Sequence, residues 1–352
     1  MTQKESKVRL ITIAFLLPIV LITFLQLPSS QFLYVNGQSL DTPSSSFNHN
    51  NTISTRGHFN YLAMELNPKY NLTDYLYYNV VGENNSRTQN EIICPSEKEV
   101  AIYVHGEWTN EASANEQFNR TAMSLTANNY VIPLIGFNWD SNTPFDENGW
   151  KTAKTIAEKN GPKLAQFIID FKNECQDTDI RLIAHSLGAA VVNSTLISLS
   201  NDPALNTTNN DFNITSVHLL GAAIDRSGIA SNTTFGKAIE KVVGNFYNLR
   251  NPEDNMLEYA YKYVENDDAL GLLGIQHSLP LPRDYIERQV DSEIPPIEDA
   301  DGNNRLDCFD FFVLLPGDNH CGYIGFRGLP PFETILRDDG SMDVVVQDWL
   351  EK

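Results

Sequence analysis

Basic residues are scarce in this chain. Its 352 residues hold 25 Lys and Arg against 45 Asp and Glu, a formal net charge of -20 at pH 7. Such a surface repels a phosphate backbone, so nucleic acid is not an expected partner. The charge favours solubility and says little about a substrate. Cysteine is scarce as well. There are four, Cys94, Cys175, Cys308 and Cys321, and no C-x-x-C spacing of the kind that holds zinc. The longest apolar run, residues 10–25, falls short of the roughly 20 residues that span a membrane. No internal repeat is apparent.

What is present supports one large α/β domain, or one domain plus extensions, since 41% of the residues are hydrophobic. Lys4, Lys7 and Arg9 precede the run 10–25, which is broken only by Thr12, Pro18 and Thr23. That pattern is a secretory signal or a signal-anchor, and Val35-Asn36-Gly37 suits cleavage after Gly37. Residues 1–37 are therefore expected to engage the membrane during export or as an anchor, and the protein to be extracellular or at the cell surface. Residues 38–57, rich in Ser, Thr and Asn, read as a disordered tether. Residues 58–352 are the expected domain. In that compartment an even number of cysteines reads as disulfides, with three pairings open. Sequons at Asn50, Asn71, Asn84, Asn119, Asn193, Asn206, Asn213 and Asn232 fit the same compartment.

Strands are expected over residues 58–66, 70–81, 100–104, 130–137, 180–184, 217–224 and 245–249, with a polar turn at 84–91. Helices are expected over 110–128, 162–171, 187–199, 235–243 and 256–264, with Gly161-Pro162 as the start of the second. Such alternation implies βαβ units and a parallel sheet. Residues 267–316 read as a Pro-rich, acidic, loop-like insertion, and 332–336 and 344–350 as closing elements.

The chain is organised around Ala184-His185-Ser186-Leu187-Gly188, which lies between the apolar strand and a helix. It is a nucleophile elbow of the G-x-S-x-G type with Ala in the first Gly position. The tight turn lifts a serine hydroxyl above the sheet and aims the next backbone N–H at an oxyanion. Val104-His105-Gly106-Glu107-Trp108 supplies a second signal, a His-Gly at the end of a buried strand. With Phe137-Asn138-Trp139, Asn251-Pro252-Glu253-Asp254 and Asp318-Asn319-His320, the chain resembles an uncharacterised bacterial and archaeal branch of the α/β-hydrolase superfamily. The resemblance spans about residues 100–323.

It implies an α/β-hydrolase fold, a mostly parallel sheet with helices on both faces, and serine hydrolase chemistry in the chain order Ser, acid, His. Ser186 is then the nucleophile. Of the histidines after the elbow, His320 in a turn-rich loop is favoured as the base, and His277 is the alternative. Asp254 is the favoured acid, with Asp225 and Glu253 left open. The backbone N–H groups of Glu107 and Leu187 are the implied oxyanion donors. The family's strand order further implies the disulfides Cys94–Cys175 and Cys308–Cys321. Residues 299–310 have the oxygen-ligand spacing of a calcium loop, through Asp299, Asp301, Asn303, Arg305, Asp307 and Asp310. No cofactor is expected for catalysis, and calcium is the expected structural ion. The expected function is hydrolysis of a small-molecule or lipid ester. A non-catalytic, calcium-dependent surface module on the same scaffold is the alternative.

Overall fold

The structure, a computed structural model, describes residues 52–66, 78–81, 86–88, 92, 94–202, 214–294, 318–327 and 336–351. In chain order come β1 (Thr52–Ser54), a small hairpin of β2 (Phe59–Asn60) and β3 (Glu65–Leu66), then β4 (Tyr78–Val81), β5 (Ser86–Thr88), β6 (Glu99–Val104), α1 (Glu111–Ala127), β7 (Leu134–Asn138) and α2 (Glu147–Glu174). They are followed by β8 (Asp179–His185), α3 (Gly188–Asn201), β9 (Ile214–Leu220), α4 (Thr234–Val242) and β10 (Val243–Arg250). A π-helical stretch, Met256–Tyr261, runs into the one-turn helix α5 (Lys262–Glu265), and then come α6 (Leu270–Leu273) and β11 (Tyr285–Gln289). The chain ends with α7 (Asp318–Cys321), a 3-10 turn Gly322–Ile324, β12 (Phe326–Arg327), β13 (Leu336–Asp338) and α8 (Met342–Leu350).

The central sheet has the order β11-β10-β9-β8-β6-β7-β1-β4-β5. Its first seven members are mutually parallel, and β4 and β5 extend it antiparallel. Successive residues of a strand point to opposite faces, and both faces here are buried. Val100, Ile102 and Val104 of β6, with Ile180, Leu182 and Ala184 of β8, join a core that includes residues of α2, α3 and α4. Ala101, Tyr103 and Ile183 belong to a second core with residues of α1 and α8. Burial on both sides is why these strands read as unbroken apolar runs and not as alternating ones. No helix among the described residues is long and apolar enough to cross a membrane; the run 10–25 lies outside them.

Several expectations are corrected. The tether was expected to extend to residue 57, but Thr52–Ser54 is a strand, parallel to β7 and antiparallel to β4. Ile53 is core, and Arg56 is buried and donates from Nη2 to the Thr109 carbonyl at 2.7 Å. Ser and Thr are compatible with a strand, so composition alone hid it. The stretch 58–66 is a hairpin, whose turn is held by Asn60 Oδ1 accepting from the N–H groups of Leu62 and Ala63. The expected polar turn at 84–91 contains β5. The loop-like insertion contains α6 and β11, and β11 is an edge strand of the main sheet. Its sequence Tyr-Ile-Glu-Arg-Gln is half-buried, so it lacks the apolar signature of the central strands.

The helix expected to begin at Pro162 begins at Glu147. Asp146 caps it by accepting from the Gly149 N–H at 2.7 Å. Pro162 lies inside α2, where it removes the donor that would serve the Glu158 carbonyl. Ser194 Oγ of α3 donates to that carbonyl at 2.7 Å instead. Gly161 permits the approach, since a Cβ there would lie 2.3 Å from Ser194 Cβ. A proline in mid-helix is thereby accommodated by the neighbouring helix.

Candidate active site

The elbow forms because two strands end against one another. A Cβ on Gly188 would lie 2.5 Å from the Val104 carbonyl and 2.8 Å from that of His105. Only glycine lets α3 start so close to the end of β6. Ser186 sits in the left-handed region at φ 53°, a conformation that costs of order 1–3 kcal/mol for a residue with a Cβ. Three backbone bonds hold it there. Its N–H donates to Leu220, and its carbonyl accepts from Ala189 and Ala223.

The structure brings Ser186, His320 and Asp254 into one line. Ser186 Oγ lies 2.9 Å from His320 Nε2, and His320 Nδ1 lies 2.7 Å from Asp254 Oδ2. Asp254 is fully buried just past the end of β10, and its Oδ1 accepts from the Leu257 N–H at 3.0 Å. The alternatives are placed elsewhere. Asp225 is exposed and accepts from the N–H and hydroxyl of Ser227, a local turn role. Glu253 and His277 are exposed.

Three side chains that the sequence reading did not assign support this line. His185, the residue before the nucleophile, donates from Nε2 to the His320 carbonyl at 2.7 Å. Burial holds its imidazole neutral, well below the usual histidine range, and His320 beside it adds to the effect. Tyr323, fully buried, donates its hydroxyl to Asp254 Oδ2 at 3.2 Å. Burial, then the Asp254 charge, raises the Tyr323 phenol well above its usual range, so it stays a donor. Tyr323 packs on Gly221, at φ 54°, where a Cβ would approach the ring within 2.6 Å. Asn319 joins the base-bearing loop to the acid-bearing one, donating to the Glu253 carbonyl and accepting from the Asn255 N–H. The one signal in the sequence was proximity: Asn319 and Tyr323 flank His320.

The His-Gly turn lies over the nucleophile. A Cβ on Gly106 would be 2.8 Å from Ser186 Cβ and 3.4 Å from Oγ. Glu107 follows this glycine in the chain, as Leu187 follows the serine. Among the described residues neither N–H donates to a protein carbonyl. His105 anchors the turn. Its Nδ1 meets the Gly106 carbonyl at 2.9 Å, its Nε2 accepts from the Trp139 N–H at 3.2 Å, and its ring stacks on Trp139 with centroids 5.5 Å apart. Burial, with Arg56 nearby, lowers its pKa to about 3, so it stays neutral. Trp108, which follows Glu107, takes φ 53° and sets its ring against that of Phe145, centroids 4.5 Å apart and planes tilted by 46°.

The Glu107 side chain is buried too. Thr143 Oγ1 donates to Oε1 at 2.8 Å, while Oε2 has no partner. Burial raises this carboxyl to about 8, against the lowering effect of Thr143. The site opens into a cavity of about 810 Å³ bounded by the His-Gly turn, the start of α2, the π-helical stretch and α7.

Cys94 and Cys175 are joined, with Cα atoms 5.5 Å apart, just ahead of the paired strands β6 and β8. Cys321, beside His320, is disulfide-bonded; its expected partner Cys308 lies outside the described residues. So do the calcium-loop residues Asp299, Asp301, Asn303, Arg305, Asp307 and Asp310, and residues 1–37.

A mostly parallel sheet, a strained serine at a strand-to-helix turn, and an acid and a histidine drawn from later loops together define an α/β hydrolase. The sequence matches the family model "Alpha/beta hydrolase of unknown function (DUF900)" over residues 82–279, more than half its length, and the chain belongs to that family. A comparison with curated proteins finds no match. Among solved structures the chain is similar to a Trichoderma reesei cutinase held with a phosphonate inhibitor, at 16% identity and TM-score 0.25, covering 36% of this chain and 52% of that one. It is also similar to a Pyrococcus furiosus esterase, at 12% identity and TM-score 0.32, covering 62% and 85%. An uncharacterised Bacillus cereus protein matches at 15% identity and TM-score 0.32, over 59% and 57%. The chain thus spans about half the length of the cutinase chain it matches.

Proposed function

We propose that this protein is an exported serine hydrolase that cleaves carboxylic esters through an acyl-enzyme. The observation that carries the reading is the buried line Ser186 Oγ–His320 Nε2 at 2.9 Å and His320 Nδ1–Asp254 Oδ2 at 2.7 Å, open to a large cavity on the serine side. Ser186 Oγ attacks the ester carbonyl carbon as its proton passes to His320 Nε2. Asp254 holds the imidazole by its other nitrogen and stabilises the imidazolium that forms. The Glu107 and Leu187 N–H groups receive the negative charge on the former carbonyl oxygen, which is where the largest gain is expected. Collapse breaks the bond to the alcohol oxygen, and His320 delivers its proton to that oxygen. Water then repeats the sequence on the acyl-serine, releasing the acid and restoring Ser186.

Export rests on the basic, then apolar, N-terminal segment and on the disulfides. Calcium at residues 299–310 belongs to the same reading as a structural ion, checked by the change in melting temperature on adding EDTA. The test of catalysis is labelling of the protein by a fluorophosphonate, with mass mapping of the adduct. An adduct on Ser186 that disappears in His320→Ala supports an activated serine. An unlabelled Ser186 in folded protein, with calcium supplied, rejects it.

A further inference from the structure

The cavity beside Ser186 has a chemical character of its own. Six aromatic rings line it. Trp108 and Phe145 form one pair on the side of the His-Gly turn. Trp150 and Tyr261 form another, with ring centroids 5.7 Å apart. Tyr259 and Tyr263 stand at the mouth, 52% and 83% exposed, and Phe145 is 47% exposed. The π-helical stretch explains two of these positions. It begins two residues after Asp254, and it turns both Tyr259 and Tyr261 to the cavity, only two residues apart.

Charge in the lining is one-sided. Four of the lining residues carry a carboxyl group, Glu107, Glu116, Asp146 and Glu147, and none is a lysine. The guanidinium of Arg120 is already engaged, with Glu116 at 3.1 Å and the Gly325 carbonyl at 3.2 Å. Glu147 is paired with Lys151 at 2.6 Å. Asp146 caps α2, and Glu107 is more than nine-tenths buried with an oxygen that meets no donor. Among the described residues neither is ion-paired with a basic side chain. Asp146 without a basic partner, a Glu107 carboxyl that burial keeps protonated at neutral pH, and π faces that attract cations therefore surround a space in which the described lining residues offer no free positive group. An anionic substrate is opposed there, and a cation is the charge the site lacks.

We propose, on the serine-hydrolase reading above, that the substrate is an ester carrying an organic ammonium group, and that this group lies against the aromatic walls. The aromatic rings supply its contact surface. Asp146 supplies the compensating charge, and the acidic surface of the chain draws such cations toward the mouth.

The test compares three esters of one acid: a trimethylammonioethyl ester, its 3,3-dimethylbutyl isostere in which carbon replaces nitrogen, and an ester of a carboxylate-bearing alcohol of similar length. The expected kcat/KM favours the cation over its neutral isostere by about tenfold or more, with the anion slowest. That preference is expected to shrink in Tyr263→Leu and in Trp150→Leu, and to fall as salt is raised. Equal rates for cation and isostere, or a faster neutral ester, overturn the proposal while leaving the serine-hydrolase reading intact. If no ester is turned over, binding decides the matter. Saturable quenching of tryptophan fluorescence by phenyltrimethylammonium, weakened in Tyr263→Leu, upholds an ammonium site, and its absence overturns one. Whether Ser186 takes the fluorophosphonate then reports separately on the catalytic reading.

Discussion

His185 donates its Nε2–H to the main-chain carbonyl of His320 at 2.7 Å, and the two rings stand 4.8 Å apart. The residue before the nucleophile thus grips the residue opposite it. The contact fixes the backbone of α7 and not the reacting ring, so His185 is a positioning residue. His185→Ala is expected to lower kcat by about 10²-fold, the order of loss that small misplacements cause, with KM little changed. His185→Gln, which keeps a donor, should recover part of it. The check is steady-state kinetics beside a melting curve. A loss confined to KM, or one matched by general unfolding, rejects the positioning role.

The two candidate acids can be separated by their surroundings. Asp254 is buried against His320 and Tyr323, whereas Asp225 is exposed and serves a turn. Asp254→Asn is expected to reduce kcat by about 10⁴-fold, because the imidazole loses its orienting partner. Asp225→Asn should leave it within about twofold. Rates on a chromogenic ester decide this, and a large loss in Asp225→Asn alone reverses the assignment.

The bond between Cys94 and Cys175 closes a sequence separation of 81 residues at the leading ends of β6 and β8. On the chain-entropy model such a loop contributes about 4–5 kcal/mol. Cys94→Ala with Cys175→Ala should lower urea stability by up to that amount without altering kcat at low temperature. An unchanged unfolding midpoint would show that the strand pairing alone suffices.

The Pro162 site predicts a coupling between two helices. Ser194→Ala leaves the Glu158 carbonyl without its side-chain donor and is expected to cost about 0.5–1 kcal/mol. Pro162→Ala restores an N–H to that carbonyl, so the same serine substitution made in its background should cost much less. A double-mutant cycle by urea unfolding measures the difference. Additive losses reject the account.

Much of this site was legible in the sequence because its parts are local. The elbow, the His-Gly turn and the Asn-Pro-Glu-Asp stretch each carry their chemistry within five residues, and buried parallel strands announce themselves as apolar runs. What was not legible depends on contacts between distant segments. Nothing near Pro162 indicates that Ser194 will serve a carbonyl 36 residues earlier. Likewise, β1 and β11 become strands through the neighbours they pair with, not through their own apolar content. The role of His185 is hidden for the same reason, since its partner is a backbone atom 135 residues away.

Glu107 ties stability and activity to pH. Its carboxyl, raised from 4.5 to about 8 by burial, is protonated in the folded protein at neutral pH and ionised in the unfolded chain. Below 4.5 both states hold the proton. Between 4.5 and about 8 only the folded state does, so rising pH erodes stability, by up to about 1.4 kcal/mol per pH unit. Above that window both are ionised and the loss stops growing. Glu107→Gln keeps the shape and an acceptor for Thr143 but has no proton to lose. Its melting temperature should therefore exceed that of the unsubstituted protein by a margin that widens with pH and then levels off. Calorimetry from about pH 5 to about pH 9 measures that margin, and one that does not change with pH contradicts the raised carboxyl. The same ionisation places a negative charge on the residue whose N–H is proposed to hold the oxyanion. Turnover should then decline as pH passes about 8, and Glu107→Gln should remove that decline.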